Sequence, residues 1–164
     1  MALTFLIDTS VLKRLGHPAV RTVVEQLAAA GRLGRPRICD LEVGYSARAA
    51  DEWDRLVEAL HAFDAVDTTA AHVRRALQVQ RLLAQRSQRG RKIPDLLVAT
   101  AAEALDVGVL HYDGDFDLIA SVTGQLCTWV VPAGSVDQPF KVEIPACATT
   151  IGGRHCDGGR SARP

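Results

Sequence analysis

The chain has 164 residues, of which 48% are hydrophobic and 23% are charged, and its 19 basic and 19 acidic side chains balance. This length and composition predict one ordinary globular domain with its own hydrophobic core. A net charge of zero gives the molecule as a whole no electrostatic attraction for nucleic acid, so a partner of that kind must bind a local basic patch.

No membrane-spanning or secretory segment is recognisable in the sequence. No apolar run approaches the roughly 18 residues that a transmembrane helix needs. The first ten residues, MALTFLIDTS, contain neither the basic segment nor the small-residue cleavage site of a signal peptide. We therefore expect a cytoplasmic protein without a membrane partner, and its scattered cysteines are expected to be free thiols.

Short apolar runs alternate with amphipathic segments in the first part of the chain. LTFLI predicts a buried strand, and PAVRTVVEQLAAAG predicts a helix that begins at a proline and ends at a glycine. GRLGRPRI is consistent with a loop and a strand of two or three residues. Asp40 can cap a helix over LEVGYSARAA, which would place Glu42 in the first helical turn.

The same alternation continues in the second part. The predicted helices are EWDRLVEALHAF, a long one from Thr69 to about Arg89, DLLVATAAEAL after Pro94, and LIASVTG, and the predicted strands are VLHY and LCTWVV. Asp51 can cap the first of these helices, and Asp67 or Thr68 the second. Alternating helices and short buried strands predict a three-layer α/β/α domain with a short, mostly parallel central sheet.

The character of the sequence changes near residue 134. Residues 1–134 carry the regular alternation, whereas residues 135–164 are rich in proline and glycine and have no sustained period. We expect a domain over the first range and a largely disordered C-terminal extension over the second, in which KVEI could form a short strand.

Carboxylates occur where the predicted strands end and the following helices begin. Asp8 follows the first strand, Glu42 and Asp95 lie near helix starts, and Asp113 and Asp115 follow VLHY. In isolation, a carboxylate in a first helical turn is explained by the helix dipole, which it stabilises by about 0.3 to 1 kcal/mol. The carboxyl ends of parallel strands meet in one crevice. Four separate segments that each deliver a carboxylate there indicate a site.

The segment HYDGDFDLIA offers three aspartates at alternate positions. Asp113 is nearest the strand end and is the first candidate for a metal ligand or water-orienting group. Asp115 is the second candidate, either as a ligand or as a helix cap. Asp117 lies one turn into the helix and is expected to be a solvated surface residue.

The chemistry of such a cluster can be inferred from its ligands. Carboxylates that converge repel one another, and a divalent cation neutralises them. Oxygen ligation without cysteine or histidine favours Mg²⁺, for which Mn²⁺ can substitute. Such an ion can activate water and stabilise charge on a phosphoryl group, so phosphodiester hydrolysis is the expected reaction.

A basic run leads into Asp95. Between Asp67 and Asp95 the sequence has no acidic residue but seven arginines and lysines. A solvated helix face explains these cations about as well as a nucleic-acid interface does. The run RGRKIPD ends at the proposed metal site, which favours the nucleic-acid interface. The predicted RNA-binding residues, in and just before this run, are Arg86, Arg89, Arg91 and Lys92.

Four motifs together resemble those of the PIN-domain ribonucleases, and within them the VapC-type toxins of bacterial type II toxin–antitoxin systems. The motifs are LIDTSVL, DLEVGYSAR, KIPDLLVATAAE and VLHYDGDFDLIA, and the resemblance covers about residues 3–134. It implies a PIN-like fold and an endoribonuclease that commonly cleaves tRNA or rRNA. A VapB-type antitoxin is the implied partner, in a toxin–antitoxin hetero-oligomer, and homodimers are usual in the family.

The resemblance also implies roles for individual residues. Asp8, Glu42, Asp95 and an aspartate of the DGDFD segment would form the acidic quartet that binds Mg²⁺. Asp8 and Asp95 match the most constant metal ligands, and Asp113 is the preferred third. Thr9 and Ser10 fall where the family places a hydroxyl near the metal or the scissile phosphate.

Two other classes of function compete with the nuclease hypothesis. A haloacid-dehalogenase-like phosphatase also has an aspartate after its first strand, but it needs a second carboxylate two residues later, where this chain has Ser10. A non-catalytic module that binds RNA or antitoxin on the same scaffold would bind RNA in a salt-sensitive way without cleaving it.

Overall fold

The computed structural model describes residues 2–88 and 90–137, which form a five-stranded sheet and seven helices. The strands are β1 (Phe5–Ile7), β2 (Leu33–Pro36), β3 (Asp64–Val66), β4 (Gly108–His111) and β5 (Cys127–Trp129). The helices are α1 (Thr9–Leu12), α2 (Pro18–Ala29), α3 (Ile38–Tyr45), α4 (Ala50–Leu60), α5 (Ala70–Gln85), α6 (Ile93–Ala104) and α7 (Asp115–Thr123). This confirms the predicted α/β/α architecture.

Strand β1 lies at the centre of the sheet. The order is β3-β2-β1-β4-β5, and every neighbouring pair is parallel. Leu6 and Ile7 of β1 and Val109 of β4 have no exposed surface, as expected for strands covered on both faces. The chain leaves β1 towards β2 on one side and later returns to β4 on the other. A crevice therefore forms at the carboxyl ends of β1 and β4, where ligands bind in such sheets.

Helix signals from proline and glycine are confirmed. Helix α2 has Pro18 at its first position and α6 has Pro94 at its second, where the missing N–H costs no hydrogen bond. Helix α7 ends at Gly124, whose φ of 74° lies in the left-handed region that glycine adopts without strain. These local signals placed three helices correctly because they depend on backbone geometry alone.

The predicted aspartate caps are wrong. Helix α3 begins two residues before Asp40, whose carboxylate instead pairs with the guanidinium of Arg35. Helix α4 has Ala49 at its N-cap, so Asp51 lies inside its first turn. At α5 the cap is neither Asp67 nor Thr68 but Thr69, whose hydroxyl accepts the backbone N–H of His72.

Several boundaries also differ from the prediction. Helix α3 ends at Tyr45 instead of continuing through residue 50, and because it begins earlier, Glu42 lies in its second turn. Helix α5 ends at Gln85, four residues before the predicted end. The three-residue strand β3 was not predicted, because its first two residues are exposed and it gives no apolar signal. The four-residue helix α1 is likewise too short for a periodic pattern.

Some expectations fall on residues that the structure does not describe. These residues are Arg89 and residues 138–164, which include KVEI and most of the proposed extension.

At the end of the described chain, the backbone N–H of Val136 donates to the hydroxyl of Tyr112 at 3.0 Å. In the described ranges, every helix is too short or too polar to cross a membrane.

Candidate metal centre

Asp8 is buried at the end of the central strand. It is 3% exposed and forms the N-cap of α1, where one carboxylate oxygen, Oδ2, accepts the backbone N–H of Ser10 at 2.7 Å. Its backbone N–H donates to the carbonyl of Leu110, which ties the end of β1 to β4. The other carboxylate oxygen, Oδ1, is buried and has no hydrogen-bond partner among the described residues. Such a group is costly unless a cation binds it.

Glu42 is brought to Asp8 by helix α3. The hydroxyl of Thr9 donates to Glu42 Oε2 at 2.8 Å, which orients that carboxylate towards the end of β1. Cys39, one turn before Glu42, is fully buried, and its thiol donates to the carbonyl of Ile7. The potential ligand atoms of Asp8, Cys39 and Glu42 lie within 4.8 Å of one another. We call these three residues the Asp8 group.

Asp95 is the second deeply buried carboxylate. It is 3% exposed in the first turn of α6, and its Oδ2 has no hydrogen-bond partner among the described residues. Burial, and after it the negative charge of Asp8, raise the pKa of Asp95 to about 7, although the nearby ammonium of Lys92 lowers it. The influence of Asp8 on this pKa shows that the two carboxylates act on one another.

Asp113 and Asp115 complete the cluster from the end of β4. Their carboxylate oxygens and one from Asp95 lie within 4.8 Å of one another, and we call these three residues the Asp95 group. Asp113 Oδ1 accepts the backbone N–H of Asp115 at 3.0 Å, so the residue that supports the start of α7 is Asp113 rather than Asp115. Burial alone would raise the pKa of Asp113, but hydrogen bonds from Lys92 and from the Asp115 N–H outweigh it and hold the pKa below its usual value.

Two basic residues contact the Asp95 group directly. Lys92 Nζ lies 2.5 Å from Asp113 Oδ2, and Arg91 Nη1 lies 2.5 Å from Asp115 Oδ1. The hydrogen bond to Asp113 raises the pKa of Lys92, which stays protonated. The run RGRKIPD thus delivers two cations to the acidic cluster itself.

The rest of the predicted basic face is only partly available to a ligand. Arg75 forms two hydrogen bonds of 2.7 Å with Glu103 of α6, so this arginine joins two helices. Arg86 is exposed and donates to the carbonyl of Ser121 at 2.9 Å. An RNA-binding role of Arg86, Arg91 and Lys92 stays a prediction.

The structure places the five carboxylates that the sequence singled out in two groups, and Asp8 of one group lies near enough to Asp95 of the other for their charges to repel. The five carboxylates are those of Asp8, Glu42, Asp95, Asp113 and Asp115. Asp117, which was expected outside the site, is exposed and accepts the indole N–H of Trp129 at 3.1 Å. Ser10 presents its hydroxyl to the backbone N–H of Tyr112, an interaction that fastens α1 to the residue after β4.

Sequence reasoning missed Cys39 and the placement of Lys92. A lone cysteine inside an apolar stretch gives no signal of its own, although its position three residues before Glu42 places both on one face of a helix. Lys92 was recognised only as part of a basic run. Its position three residues before Asp95 also indicates that the two side chains can lie close together. Because arginines surround it in the sequence, Lys92 was not distinguished from them.

The cluster fits a hard divalent cation. Two buried oxygens, Asp8 Oδ1 and Asp95 Oδ2, have no hydrogen-bond partner among the described residues. The surrounding donors are carboxylates, which Mg²⁺ and Mn²⁺ prefer. Cys39 is the one soft donor, and burial raises the pKa of its thiol far above the ordinary value, which keeps it protonated and a poor ligand.

The sequence matches the model of the PIN domain over residues 5–122. The chain belongs to the PIN-domain family. It is 66% identical over 137 residues to Ribonuclease VapC51 of Mycobacterium tuberculosis, a match that covers 84% of this chain and all of that relative. It is 39% identical over 137 residues to Ribonuclease VapC21 of the same species, covering 82% of this chain and 99% of that relative.

Solved structures with the same fold include toxin–antitoxin complexes. VapBC2 from Rickettsia felis, bound to a DNA fragment from its promoter, matches with a TM-score of 0.65 at 15% identity and covers 79% of this chain and 99% of the matched one. DNA-bound VapBC from Salmonella typhimurium matches with a TM-score of 0.64 at 15% identity, over 79% of this chain and 99% of that one. At this identity the likeness concerns the fold. Together with the family match, it favours the PIN-domain hypothesis over the phosphatase.

Proposed function

We propose that this PIN-domain protein is a metal-dependent endoribonuclease that acts as the toxin of a toxin–antitoxin pair. The observation that carries the proposal is a pair of buried carboxylate oxygens, Asp8 Oδ1 and Asp95 Oδ2, that accept no hydrogen bond from the described residues. The high identity to a relative named as a ribonuclease supports the same chemistry in this chain.

The proposed metal is Mg²⁺, for which Mn²⁺ can substitute. We assign Asp8, Asp95 and Asp113 as its ligands, and Glu42 and Asp115 as further members of the catalytic set. A divalent ion bound there would lower the pKa of a water molecule and stabilise negative charge on the scissile phosphate.

The side chains around the cluster keep these carboxylates in place. The Ser10 N–H fixes one oxygen of Asp8, which leaves the other directed to a cation. The Thr9 hydroxyl fixes one oxygen of Glu42 in the same way, so the other is available to orient water. We propose that Thr9 supports the site through its hydroxyl, and Ser10 through its backbone N–H and through the hydrogen bond of its hydroxyl with the N–H of Tyr112.

The proposed substrate is RNA, with a tRNA or rRNA as the target. Lys92 and Arg91 contact the Asp95 group, and Arg86 and Arg89 belong to the same basic stretch of the sequence. Phosphate contacts from these cations would hold the backbone of RNA next to the carboxylates. The proposed site of action is the cytoplasm.

A VapB-type antitoxin is the proposed protein partner. Leu41 and Tyr45 of α3 are 71% and 92% exposed and lie one helical turn apart, on either side of Glu42 in the sequence. Apolar side chains this exposed beside a catalytic residue favour a protein partner that covers them. A homodimer and a toxin–antitoxin hetero-oligomer are the proposed assemblies.

The function is tested by mapping new RNA 5′ ends in cells after brief induction of the protein. Wild type is expected to create a small set of new ends in tRNA or rRNA, and Asp8→Asn is expected to reduce them by about 100-fold or more, because a metal ligand is lost. Asp117→Asn is the matched control, since its exposed carboxylate lies outside both groups. Equal cleavage by wild type and Asp8→Asn would refute the assignment.

Purified protein provides the complementary assay. Cleavage of the mapped RNA should require Mg²⁺ or Mn²⁺ and stop in EDTA. Salt-sensitive RNA binding without any turnover in metal would instead identify a non-catalytic binding module.

A further inference from the structure

A lysine of this chain lies at the centre of the Asp95 group. Lys92 Nζ is 2.5 Å from Asp113 Oδ2, 3.9 Å from Asp95 Oδ2 and 4.0 Å from Asp115 Oδ2. One ammonium group is therefore within 4.0 Å of all three carboxylates. This is the arrangement in which a shared cation neutralises several acidic ligands.

The backbone holds Lys92 close to the site. Lys92 is the N-cap of α6, with an extended backbone (φ −65°, ψ 139°), and Asp95 is the third residue of the same helix. Pro94, between them, has a fixed φ that favours the start of a helix. The lysine and the buried aspartate are thus parts of one rigid helix start, so the ammonium cannot move far from the Asp95 group without a change in side-chain rotamer.

Arg91 strengthens the same arrangement. Its guanidinium contacts Asp115 Oδ1, the carboxylate that is farthest from Lys92. Asp113 and Asp115 therefore each have a basic partner at 2.5 Å. The buried Oδ2 of Asp95, by contrast, has no hydrogen-bond partner among the described residues.

With Lys92 and Arg91 in place, the cluster has less negative charge for divalent ions to neutralise. When ionised, the five carboxylates of Asp8, Glu42 and the Asp95 group carry five negative charges, and Lys92 and Arg91 cancel two of them. One divalent ion leaves one net negative charge. A second ion would make the cluster positive and would lie within reach of the ammonium, at a cost in repulsion.

On the basis of the proposed function, we propose that Lys92 is a resident counter-cation of the Asp95 group that limits the site to one divalent ion. That ion would be held by Asp8, Asp95 and Asp113, while Lys92 and Arg91 neutralise the remaining negative charge of Asp113 and Asp115, to which a second ion would otherwise bind. Lys92 is then a positioning residue of the metal centre in addition to any contact with RNA.

The experiment is a count of Mn²⁺ bound per chain, measured on the full-length protein from the electron paramagnetic resonance signal of free Mn²⁺. Wild type is expected to bind one Mn²⁺, and Lys92→Met is expected to bind two, with the second bound at least about tenfold more tightly than any second ion in wild type. Lys92→Arg keeps the charge and should bind one. Lys13→Met is the matched control, because Lys13 is exposed and takes part in no ion pair of the described residues.

A second variant locates the additional ion. Adding Asp115→Asn to Lys92→Met removes a carboxylate that would bind the additional ion, leaves the assigned ligands of the first ion in place, and should return the count to one. Circular dichroism verifies that each variant is folded, and the gain in melting temperature on adding Mn²⁺ should be larger for Lys92→Met than for wild type.

Each outcome decides between the alternatives. Two ions of similar affinity in wild type, or one ion in a folded Lys92→Met, would overturn the role of Lys92 while leaving the metal-dependent function intact. Absence of Mn²⁺ binding from every variant, with RNA cleavage that persists in EDTA, would contradict the proposed function itself.

Discussion

The replacement Asp95→Asn should stabilise the metal-free protein while weakening its response to metal. Asp95 is buried, and burial and the charge of Asp8 raise its pKa to about 7. An aspartate in the unfolded chain has its ordinary pKa near 3.8. The folded state therefore binds a proton more tightly than the unfolded state. Its stability is greatest below the unfolded pKa and falls as the pH rises from about 4 to about 7.

The magnitude follows from the two pKa values. Their difference corresponds to an upper limit of about 4 kcal/mol for the cost of ionising Asp95 in the fold. Solvent screening by the partly open crevice reduces this, so we expect about 2 kcal/mol at pH 8. For a domain of this size, that free energy corresponds to a difference of about 6 °C in melting temperature.

Denaturant unfolding in EDTA measures this effect. At pH 8, Asp95→Asn should exceed wild type in unfolding free energy by about 2 kcal/mol, and at pH 5 the difference should be much smaller, because wild-type Asp95 is then neutral. Asp117→Asn is the same substitution at an exposed carboxylate. Its unfolding free energy should equal that of wild type at both pH values. With excess Mn²⁺, wild type should become more stable than Asp95→Asn, because binding of the metal stabilises the folded wild type more than the folded variant.

One result would refute this reasoning. If wild type and Asp95→Asn show the same change in unfolding free energy between pH 5 and pH 8 in EDTA, Asp95 does not titrate in that interval. The buried oxygen would then have a partner that stabilises its charge without metal.

Three further substitutions test how the fold supports the site. Arg35→Met should lower the unfolding free energy by about 3 kcal/mol, because it leaves Asp40 without its buried partner; denaturant curves check this, and recovery on adding Asp40→Leu would support the cause. Gly44→Ala should lower the free energy of unfolding by about 1 to 3 kcal/mol, because a Cβ there would lie 2.4 Å from the indole nitrogen of Trp53. An unchanged melting temperature would contradict this expectation. Gly124→Ala should lower the free energy of unfolding by about 1 kcal/mol, because its φ of 74° is strained for alanine. A Cβ there meets nothing within 4 Å, so no steric clash adds to this loss, which thermal unfolding measures.

The short motifs were predictable because their chemistry is local. Asp8 after an apolar run, Pro94 before Asp95, and Gly124 after an amphipathic segment each carry a signal within a few residues. The alternation of helices and buried strands then predicted the parallel sheet, and the meeting of strand ends predicted the cluster of carboxylates. The carboxylates predicted phosphodiester hydrolysis, and the resemblance to a known family added RNA as the substrate.

Other features depend on which side chains pair with one another, which the preferences of single residues do not predict. Asp40 was expected to cap a helix, but Arg35, buried in β2, attracts its carboxylate instead. Thr69 caps α5 through a reciprocal pair of hydrogen bonds with His72, where the pattern usually has a glutamate or glutamine. In both places a contact in the folded chain outweighed the intrinsic preference of a residue.

By itself the sequence determined the fold class, the five carboxylates and the family, because these depend on periodicity and on the identity of residues in order. Only the tertiary structure decided how the cluster divides: in the described part of the chain, Asp8 and Asp95 each have an oxygen that accepts no hydrogen bond, whereas Asp113 and Asp115 are each paired with a cation. The physical reason is that Coulomb interactions depend on distance in space, and Lys92 and Asp113 are separated by 21 positions in the chain but by 2.5 Å in the fold.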